Sequence, residues 1–244
     1  MQCVILAGGL GTRMRPLTET CPKTLLPVCG RPFAHHQLHW LAAQGIDDVI
    51  YCIGHQGEMI RRYWESEPRP VRSIRYVDEG EHLRGTGGAL QLAVAQRVLD
   101  ESFLVIYGDS FLPVEFAPIW QAFHASGRPA LMTVLRNQGR WDRSNVVYEN
   151  GCLLLYDKQT DPRMQHIDYG LSALRRELFD HRPEVFDLAV LLHELSLQGE
   201  LAGFEVEQRF YEIGSPQGLA DLEHYLEIRD AEVTPVLGKV ARPE

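Results

Sequence analysis

The opening residues contain the feature that most limits how this chain can fold. Positions 4–7 read Val-Ile-Leu-Ala, and a turn with three glycines, Gly8, Gly9 and Gly11, follows at once. Glycine lets the backbone approach another group closely and accepts positive φ, so successive amides in such a turn can converge on an anion. Arg13 ends the turn with a cation. The segment therefore predicts a phosphate-binding loop at the carboxyl end of a buried first strand.

The distribution of charge supports an anion site near this loop. The chain has 244 residues and a formal net charge of −9, which argues against a general nucleic-acid binder. Residues 1–31 nevertheless contain four basic side chains and one acidic side chain, so this segment has a charge of +3 (four minus one). A basic segment in an acidic protein indicates a local site for a polyanion.

Apolar strands alternate with helix-spaced segments over the first half of the chain. This alternation predicts an α/β, Rossmann-like fold, with a mostly parallel sheet and helices on both faces. Ligands of such sheets bind outside the carboxyl ends of the strands, where the glycine turn and Asp109 both fall. After the first strand, the predicted strands are 49–53, 72–77 and 103–107, and the predicted helices begin near Phe33, cover 57–66, and run from Ala89 to about Leu99.

The second half of the chain predicts a smaller, β-rich subregion. A hairpin is expected from strands at 145–148 and 152–156, because the turn between them reads Glu-Asn-Gly. Further strands are expected near 129–136 and 169–174, a strand pair at 204–206 and 210–213, and helices near 187–198 and 215–230.

The glycine turn lacks the spacing of two common nucleotide-binding motifs. No Gly-Lys-Ser/Thr sequence closes it, and the third glycine of G-x-G-x-x-G is absent, so Walker and dinucleotide sites are excluded. The chain reads Leu-Ala-Gly-Gly-Leu-Gly-Thr-Arg-Met-Arg-Pro-Leu-Thr at 6–18 and Pro-Lys-Thr-Leu-Leu-Pro-Val at 22–28. These two stretches resemble the signature of the sugar-1-phosphate nucleotidyltransferases, in their short single-domain form.

The resemblance implies an Mg²⁺-dependent reaction in which a nucleoside triphosphate and a sugar 1-phosphate give an NDP-sugar and pyrophosphate. Arg13 would neutralise the leaving pyrophosphate, Lys23 would lie beside the attacked α-phosphate, and Asp109 would bind the metal. Family members usually supply a second metal carboxylate from an aspartate, where this chain has Glu212. The nucleotide-binding residues implied by the resemblance are Leu6, Ala7, Gly8, Gly9, Gly11, Thr12, Glu79, Gly85 and Thr86.

The resemblance also assigns the sugar-phosphate side to Asn145, Lys158, Asp168 and Gly170. It gives guanine a slight preference as the base and leaves the sugar and the oligomeric state open. We interpret residues 1–234 as a single domain, with a nucleotide-binding part at about 1–125, a sugar-binding part at about 126–213 and a loose tail at 235–244. The five cysteines without metal spacing, and the lack of an apolar run near ~20 residues, predict a cytoplasmic protein with no membrane partner.

Two alternative functions stay open at this point. The replacement of the usual aspartate by Glu212 is compatible with a non-catalytic, nucleotide-sugar-binding regulatory protein of the same fold. Trp141 and Tyr169 are compatible with nucleotidyl transfer to phosphocholine, because a quaternary ammonium group binds to aromatic faces.

Overall fold

The computed structural model of the chain describes residues 1–159 and 161–237. The strands are β1 (Gln2–Leu6), β2 (Pro27–Val28), β3 (Arg31–Pro32), β4 (Asp48–Ile53), β5 (Ser73–Asp78), β6 (Ser102–Tyr107), β7 (Ser110–Phe111), β8 (Ala130–Arg136), β9 (Val146–Glu149), β10 (Cys152–Tyr156), β11 (His166–Arg175), β12 (Leu201–Val206) and β13 (Tyr211–Glu212). The helices are α1 (Phe33–Ala43), α2 (Gly57–Ser66), α3 (Gly85–Ala95), α4 (Phe116–Ser126), α5 (Leu188–Gln198) and α6 (Pro216–Leu237).

Four neighbouring strands form the parallel half of the main sheet. β1 lies between β4 and β6 and is parallel to both, so that Val4 is opposite Ile50 on one side and Val105 on the other. β5 continues the parallel set beyond β4. These strands are rich in apolar and β-branched residues because both of their faces are covered. Their carboxyl ends therefore meet at one edge of the sheet.

β11 connects this parallel half to a mixed half. It runs antiparallel to β6 and to β8, and its pairing with β8 shifts register between Asp168 and Ser172. β12 is parallel to β8, and β9 and β10 form the predicted antiparallel hairpin. Because β11 runs opposite to β6, its amino-terminal half lies at the edge where the parallel strands end.

Helices cover both faces of the sheet, as the alternation predicts. Side chains of α1, α2 and α4, such as Leu38, Trp64 and Phe123, are buried against one face. Leu90 of α3 and Leu192 of α5 are buried against the other face. The α/β, Rossmann-like architecture is thereby confirmed.

A third apolar cluster holds the glycine turn against the carboxyl-terminal helix. Met14 and Leu26, which flank the predicted phosphate loop, pack with Ile213 and with Leu222 and Leu226 of α6. The loop is therefore anchored by buried side chains although its tip is exposed.

Several expected elements differ from the structure. α3 begins at Gly85, four residues before the predicted start at Ala89. The expected strand pair is wrong, because β12 pairs with β8 while β13 pairs with β7. α4 lies in a segment where no helix is predicted. α6 continues to Leu237, into the predicted tail, and 238–244 lie outside the described residues.

Within the described part of the chain, no helix is both long enough and apolar enough to cross a membrane.

Candidate active site

A cavity of about 240 Å³ opens at the edge where the parallel strands end. Its walls come from the glycine turn, from the segment between β5 and α3, and from the carboxyl end of β6. It is lined by Leu6, Ala7, Gly8, Gly9, Gly11, Lys23, Thr24, Glu79, Leu83, Gly85, Thr86, Ala89, Tyr107, Gly108 and Asp109. Three segments distant in sequence thus meet at the predicted sheet edge.

The glycine turn requires glycine at two positions for different reasons. A Cβ on Gly8 would collide with the carboxylate of Glu79, so the close approach of these segments depends on the missing side chain. Gly11 has a φ of +61°, a left-handed conformation that side chains disfavour. The Thr18 hydroxyl donates a hydrogen bond of 2.8 Å to the Gly11 carbonyl and fixes this conformation. The predicted Thr12 follows in an exposed turn.

Lys23 and Asp109 form an ion pair in the wall of the cavity. The distance from Lys23 Nζ to Asp109 Oδ2 is 2.7 Å, and the two side chains are 17% and 22% exposed. Lys23 begins a short 3-10 turn, and Asp109 follows the end of β6 after one residue, Gly108. The adjacent Gly108 amide donates a hydrogen bond of 2.9 Å to the carbonyl of Leu6, which ties the end of β6 to the glycine turn.

Arg13 and Glu212 lie beside Asp109. β13 pairs with β7, and the Ile213 amide donates a hydrogen bond of 3.0 Å to the carbonyl of Asp109. A Cβ placed on Gly214 would lie 3.4 Å from Arg13 Nη2 and 3.8 Å from Asp109 Oδ2. The structure therefore brings together the three predicted residues Arg13, Lys23 and Asp109, with the carboxylate of Glu212 close to them.

The two carboxylates fit a divalent cation in donor type. Although the side chain of Glu212 reaches solvent, the surrounding protein and then the Asp109 carboxylate raise its pKa to about 7. Two carboxylates close enough to oppose each other's ionisation are a suitable oxygen donor set for a hard cation that also binds phosphate. Among the described residues, no cluster of three or more His, Cys, Asp or Glu side chains forms a metal site, so the remaining ligands of a bound cation would be substrate oxygens or water.

Glu79 and the start of α3 form the opposite wall. The Arg84 amide donates a hydrogen bond of 2.7 Å to Glu79 Oε2, and burial raises the pKa of this carboxyl. Thr86 lines the cavity, but its hydroxyl oxygen accepts a hydrogen bond of 2.8 Å from the Leu188 amide. The amides of Gly87 and Gly88 both donate to the Phe186 carbonyl at 3.0 Å. The first turn of α3 is therefore held by the segment that precedes α5.

The predicted acceptor residues gather around the amino-terminal half of β11. Asn145 Oδ1 accepts a hydrogen bond of 2.8 Å from the Asp168 amide, and Asp168 Oδ1 accepts one of 2.9 Å from the Gly170 amide. Burial raises the pKa of Asp168 to about 6, although Gly170 and Lys158 oppose the shift. Lys158 itself is exposed. These four residues lie outside the lining of the cavity.

Tyr107 is a functional candidate that the sequence interpretation missed. It lines the cavity at the end of β6, and a Cβ on Gly170 would lie 3.6 Å from its ring. Burial and the Asp168 carboxylate raise its pKa well above the usual range, so the phenol stays protonated and can donate a hydrogen bond. The rule that placed Asp109 at the sheet edge applies equally to Tyr107, two residues earlier. Leu83 and Thr24 also line the cavity, although the sequence analysis predicts no role for either residue.

The two aromatic residues considered for a choline site are engaged elsewhere. Tyr169 is 1% exposed and packs against Phe210. One face of Trp141 is covered by the Arg209 guanidinium, 4.1 Å from the ring centroid. Trp141 and Tyr169 therefore do not form an aromatic box for a quaternary ammonium group.

Comparisons with known proteins agree with this geometry. A family model described as nucleotidyl transferase matches residues 2–143. The chain is 29% identical over 234 residues to the D-glycero-alpha-D-manno-heptose 1-phosphate guanylyltransferase of Aneurinibacillus thermoaerophilus, covering 93% of this chain and 100% of that protein. It is also 29% identical over 234 residues to the mannose-1-phosphate guanylyltransferase of Mycobacterium tuberculosis, covering 91% of this chain and 64% of that protein.

A solved structure shows the same fold. HddC from Yersinia pseudotuberculosis, crystallised in complex with GMP-PN, superposes with a TM-score of 0.73 at 21% sequence identity, covering 92% of this chain and 99% of that one. The likeness extends over both halves of the sheet.

Proposed function

We propose a reaction for this chain from one premise: it belongs to the nucleotidyl transferase family. The chain transfers a nucleoside monophosphate from a nucleoside triphosphate to a sugar 1-phosphate and releases pyrophosphate. The observation that carries this proposal is the Lys23–Asp109 pair, 2.7 Å apart in a cavity lined by Gly8, Gly9 and Gly11. The guanylyltransferase relatives, which act on heptose and mannose 1-phosphates by name, support the acceptor class.

The residues act on the two substrates by position and charge. A phosphate oxygen of the sugar 1-phosphate attacks the α-phosphorus, the bond from this phosphorus to the β-phosphate bridging oxygen breaks, and pyrophosphate leaves with that oxygen. Amides of the glycine turn hold the triphosphate, Lys23 stabilises charge that develops at the α-phosphate, and Arg13 neutralises the leaving group. No covalent bond to the protein is needed, because the site supplies orientation and electrostatic stabilisation.

Asp109 and Glu212 are the residues that would hold Mg²⁺. The ion, when bound, would offset the negative charge of the two phosphate-bearing substrates. Glu212 has one methylene more than the aspartate that family members usually have. Its neighbour Asp109 also forms an ion pair with Lys23.

We propose guanine as the base because Glu79 lines the cavity with a carboxylate. An ionised carboxylate only accepts hydrogen bonds, and guanine presents two adjacent donors, N1–H and N2–H₂, on its Watson–Crick edge. Uracil and thymine present one donor flanked by two carbonyl oxygens, which a carboxylate repels. The names of the two guanylyltransferase relatives point to the same base.

A pyrophosphate-release screen tests the proposal. The purified protein is incubated with Mg²⁺ and each of ATP, GTP, CTP, UTP and dTTP, crossed with a panel of sugar 1-phosphates and with phosphocholine. We expect release with GTP and a sugar 1-phosphate. Pyrophosphate release with phosphocholine alone would identify phosphocholine, and not a sugar 1-phosphate, as the acceptor. Binding of an NDP-sugar without turnover would favour the regulatory alternative, with which Glu212 is compatible. Since nucleoside triphosphates are cytoplasmic substrates, we place the reaction in the cytoplasm.

A further inference from the structure

Arg209 lies between two aromatic rings beside the second carboxylate of the site. Its Cζ atom is 4.1 Å from the ring centroid of Trp141 and 4.4 Å from that of Tyr211. The Tyr211 ring stacks in turn on Tyr225 of α6, with centroids 4.6 Å apart. A guanidinium is flat and weakly hydrated, so it stacks on aromatic faces in a way that an ammonium group cannot. We name these four residues the Arg209 column.

α6 fixes the edge of the guanidinium. Arg209 Nη2 lies 2.9 Å from Asp221 Oδ2, and Gln217 Nε2 donates a hydrogen bond of 2.7 Å to Asp221 Oδ1. Arg209 is thus held by two rings on its faces and by a carboxylate at its edge. This arrangement leaves the side chain a single orientation.

The Arg209 column connects to a loop with a defined shape, residues 137–144. The fully buried Asn137 organises this loop, because its Oδ1 accepts a hydrogen bond of 3.1 Å from the Trp141 amide and its Nδ2 donates one of 3.0 Å to Ser144 Oγ. Nδ2 also donates to the carbonyl of Asp142. Trp141 therefore joins an ordered loop to Arg209.

The other end of the connection is the candidate metal carboxylate. Tyr211 and Glu212 are consecutive residues of β13, so their side chains leave the strand on opposite sides. A ring held by the Arg209 column on one side therefore fixes the direction of the Glu212 side chain on the other.

We propose that Arg209 is a positioning residue for Glu212. By stacking between Trp141 and Tyr211 it locks loop 137–144 to β13 and holds the Glu212 carboxylate beside Asp109, where a divalent cation needs both. The inference rests on the proposed function, because it concerns the metal that the nucleotidyl transfer would use. It adds three residues outside the cavity lining, Trp141, Arg209 and Tyr211, to those that determine metal affinity.

Arg209→Lys is the discriminating variant. Lysine keeps the positive charge and can still reach Asp221, but it lacks the flat group that fills the space between the rings. Arg61→Lys is a matched control. Arg61 Cζ lies 4.6 Å from the Tyr76 ring centroid, its side chain is 33% exposed against 31% for Arg209, and it also pairs with a carboxylate, Glu58, at 3.3 Å. It belongs to α2, outside the proposed metal site.

Direct metal binding is the first readout. Mn²⁺, as a paramagnetic probe for the Mg²⁺ site, is titrated into the protein with a non-hydrolysable GTP analogue, and free Mn²⁺ is followed by electron paramagnetic resonance. We expect Arg209→Lys and Trp141→Ala to raise the Mn²⁺ dissociation constant about tenfold, as loss of a residue that orients a metal ligand does. Arg61→Lys should leave it unchanged.

Turnover and loop accessibility are the second and third readouts. Arg209→Lys should raise the half-saturating Mg²⁺ concentration by about the same tenfold factor while KM for GTP stays within about twofold. Trypsin should cut faster after Arg140 and Arg143 once the loop is released. Thermal unfolding of each variant identifies any general loss of structure.

The proposal is overturned if Arg209→Lys binds Mn²⁺ as tightly as the wild-type protein, or if Arg61→Lys weakens binding to the same extent. A wild-type protein that releases no pyrophosphate would count against the proposed function instead. The Mn²⁺ and trypsin measurements still decide the role of Arg209 in that case, because neither needs turnover.

Discussion

The two sides of the proposed active site differ in whether backbone or side-chain groups form their surfaces. On the proposed nucleotide side, the backbone forms much of the surface: a glycine turn, the end of β6 and the start of α3. On the proposed acceptor side, single side chains from separate strands and loops converge around Asp168 and Glu212. The first surface is suited to a triphosphate, whose shape is shared by every nucleotide. The second is suited to an acceptor whose identity depends on individual polar groups.

This contrast predicts which substitutions each side tolerates. Backbone amides remain in place when most side chains are replaced, so the nucleotide side should lose activity mainly when a charged side chain or a glycine is substituted. The acceptor side should lose affinity gradually, because each contact is supplied by a different element.

The largest effect is expected from Lys23→Ala, which removes the cation facing the transferred phosphate. Loss of one preorganised charge-stabilising group typically lowers kcat about 100- to 1,000-fold. Pyrophosphate release under saturating substrates measures this loss, and far-ultraviolet circular dichroism verifies the fold. Arg62→Ala, which removes a 75% exposed cation from α2, serves as the control. Near-normal turnover of the Lys23 variant would contradict the proposal that Lys23 stabilises charge at the α-phosphate.

Glu79→Gln should change base selection more than overall binding. An amide replaces one acceptor oxygen by donors, so guanine loses a charge-assisted hydrogen bond, a loss that corresponds to about a 10- to 100-fold lower kcat/KM for GTP. UTP should lose less, because its carbonyl oxygens can accept from the new amide. Ratios of kcat/KM for the two nucleotides measure the change. An unaltered ratio would remove Glu79 from base recognition.

Asp168→Asn should affect the acceptor alone. The half-buried carboxylate accepts stronger, charge-assisted hydrogen bonds from sugar hydroxyls when it is ionised, and desolvation by the surrounding protein has raised its pKa to about 6. The wild-type KM for the sugar 1-phosphate should therefore increase as the pH falls below about 6. The Asn variant should show about a tenfold higher KM that does not vary over this range, with KM for GTP unchanged. Equal increases in KM for the sugar 1-phosphate and for GTP would contradict the assignment of Asp168 to the acceptor side.

The smallest effect concerns Glu212 without added metal. Burial and Asp109 raise its pKa from 4.5 to about 7, so the folded protein binds a proton more tightly than the unfolded chain does. Stability gained in this way is complete below pH 4.5 and is lost as the pH rises through 7. Glu212→Gln removes the dependence. Because the pair is partly solvated, we expect a difference of about 1 kcal/mol, or about 2–4 °C, between melts at pH 5 and pH 8. Parallel stability profiles for the two proteins would contradict the close approach of the carboxylates.

The contrast also describes what the sequence could predict. Asp109 could be assigned to the sheet edge because it follows an apolar strand that ends in Gly-Asp, whereas Lys23 could be assigned through the resemblance of its Pro-Lys segment to the family signature. The start of α3 at Gly85 could not be predicted, since the sequence Gly-Thr-Gly-Gly has a low helix propensity. Hydrogen bonds from the amides of Gly87 and Gly88 to Phe186 stabilise that turn.

Long-range pairing was the other obstacle. The residues at 204–206 and 210–213 read as two neighbouring strands, yet β12 joins β8 and β13 joins β7, more than 70 residues earlier in the chain. Local periodicity contains no information about which distant edge is available. The same limit hid the Arg209 column, whose members come from a loop, a strand and a helix.

The hydrogen bonds between α3 and the segment before α5 have a consequence for the integrity of the fold. The Phe186 carbonyl and the Leu188 amide, both from the carboxyl-terminal half of the chain, complete the first turn of a helix in the amino-terminal half. A fragment that stopped before Phe186 would lose these hydrogen bonds and would expose Leu90 and the other apolar side chains of α3 that share a buried cluster with α5. Splitting the chain between its halves, or moving the termini to that point, should therefore give two insoluble pieces. The two halves, which we propose bind different substrates, should therefore depend on each other for folding.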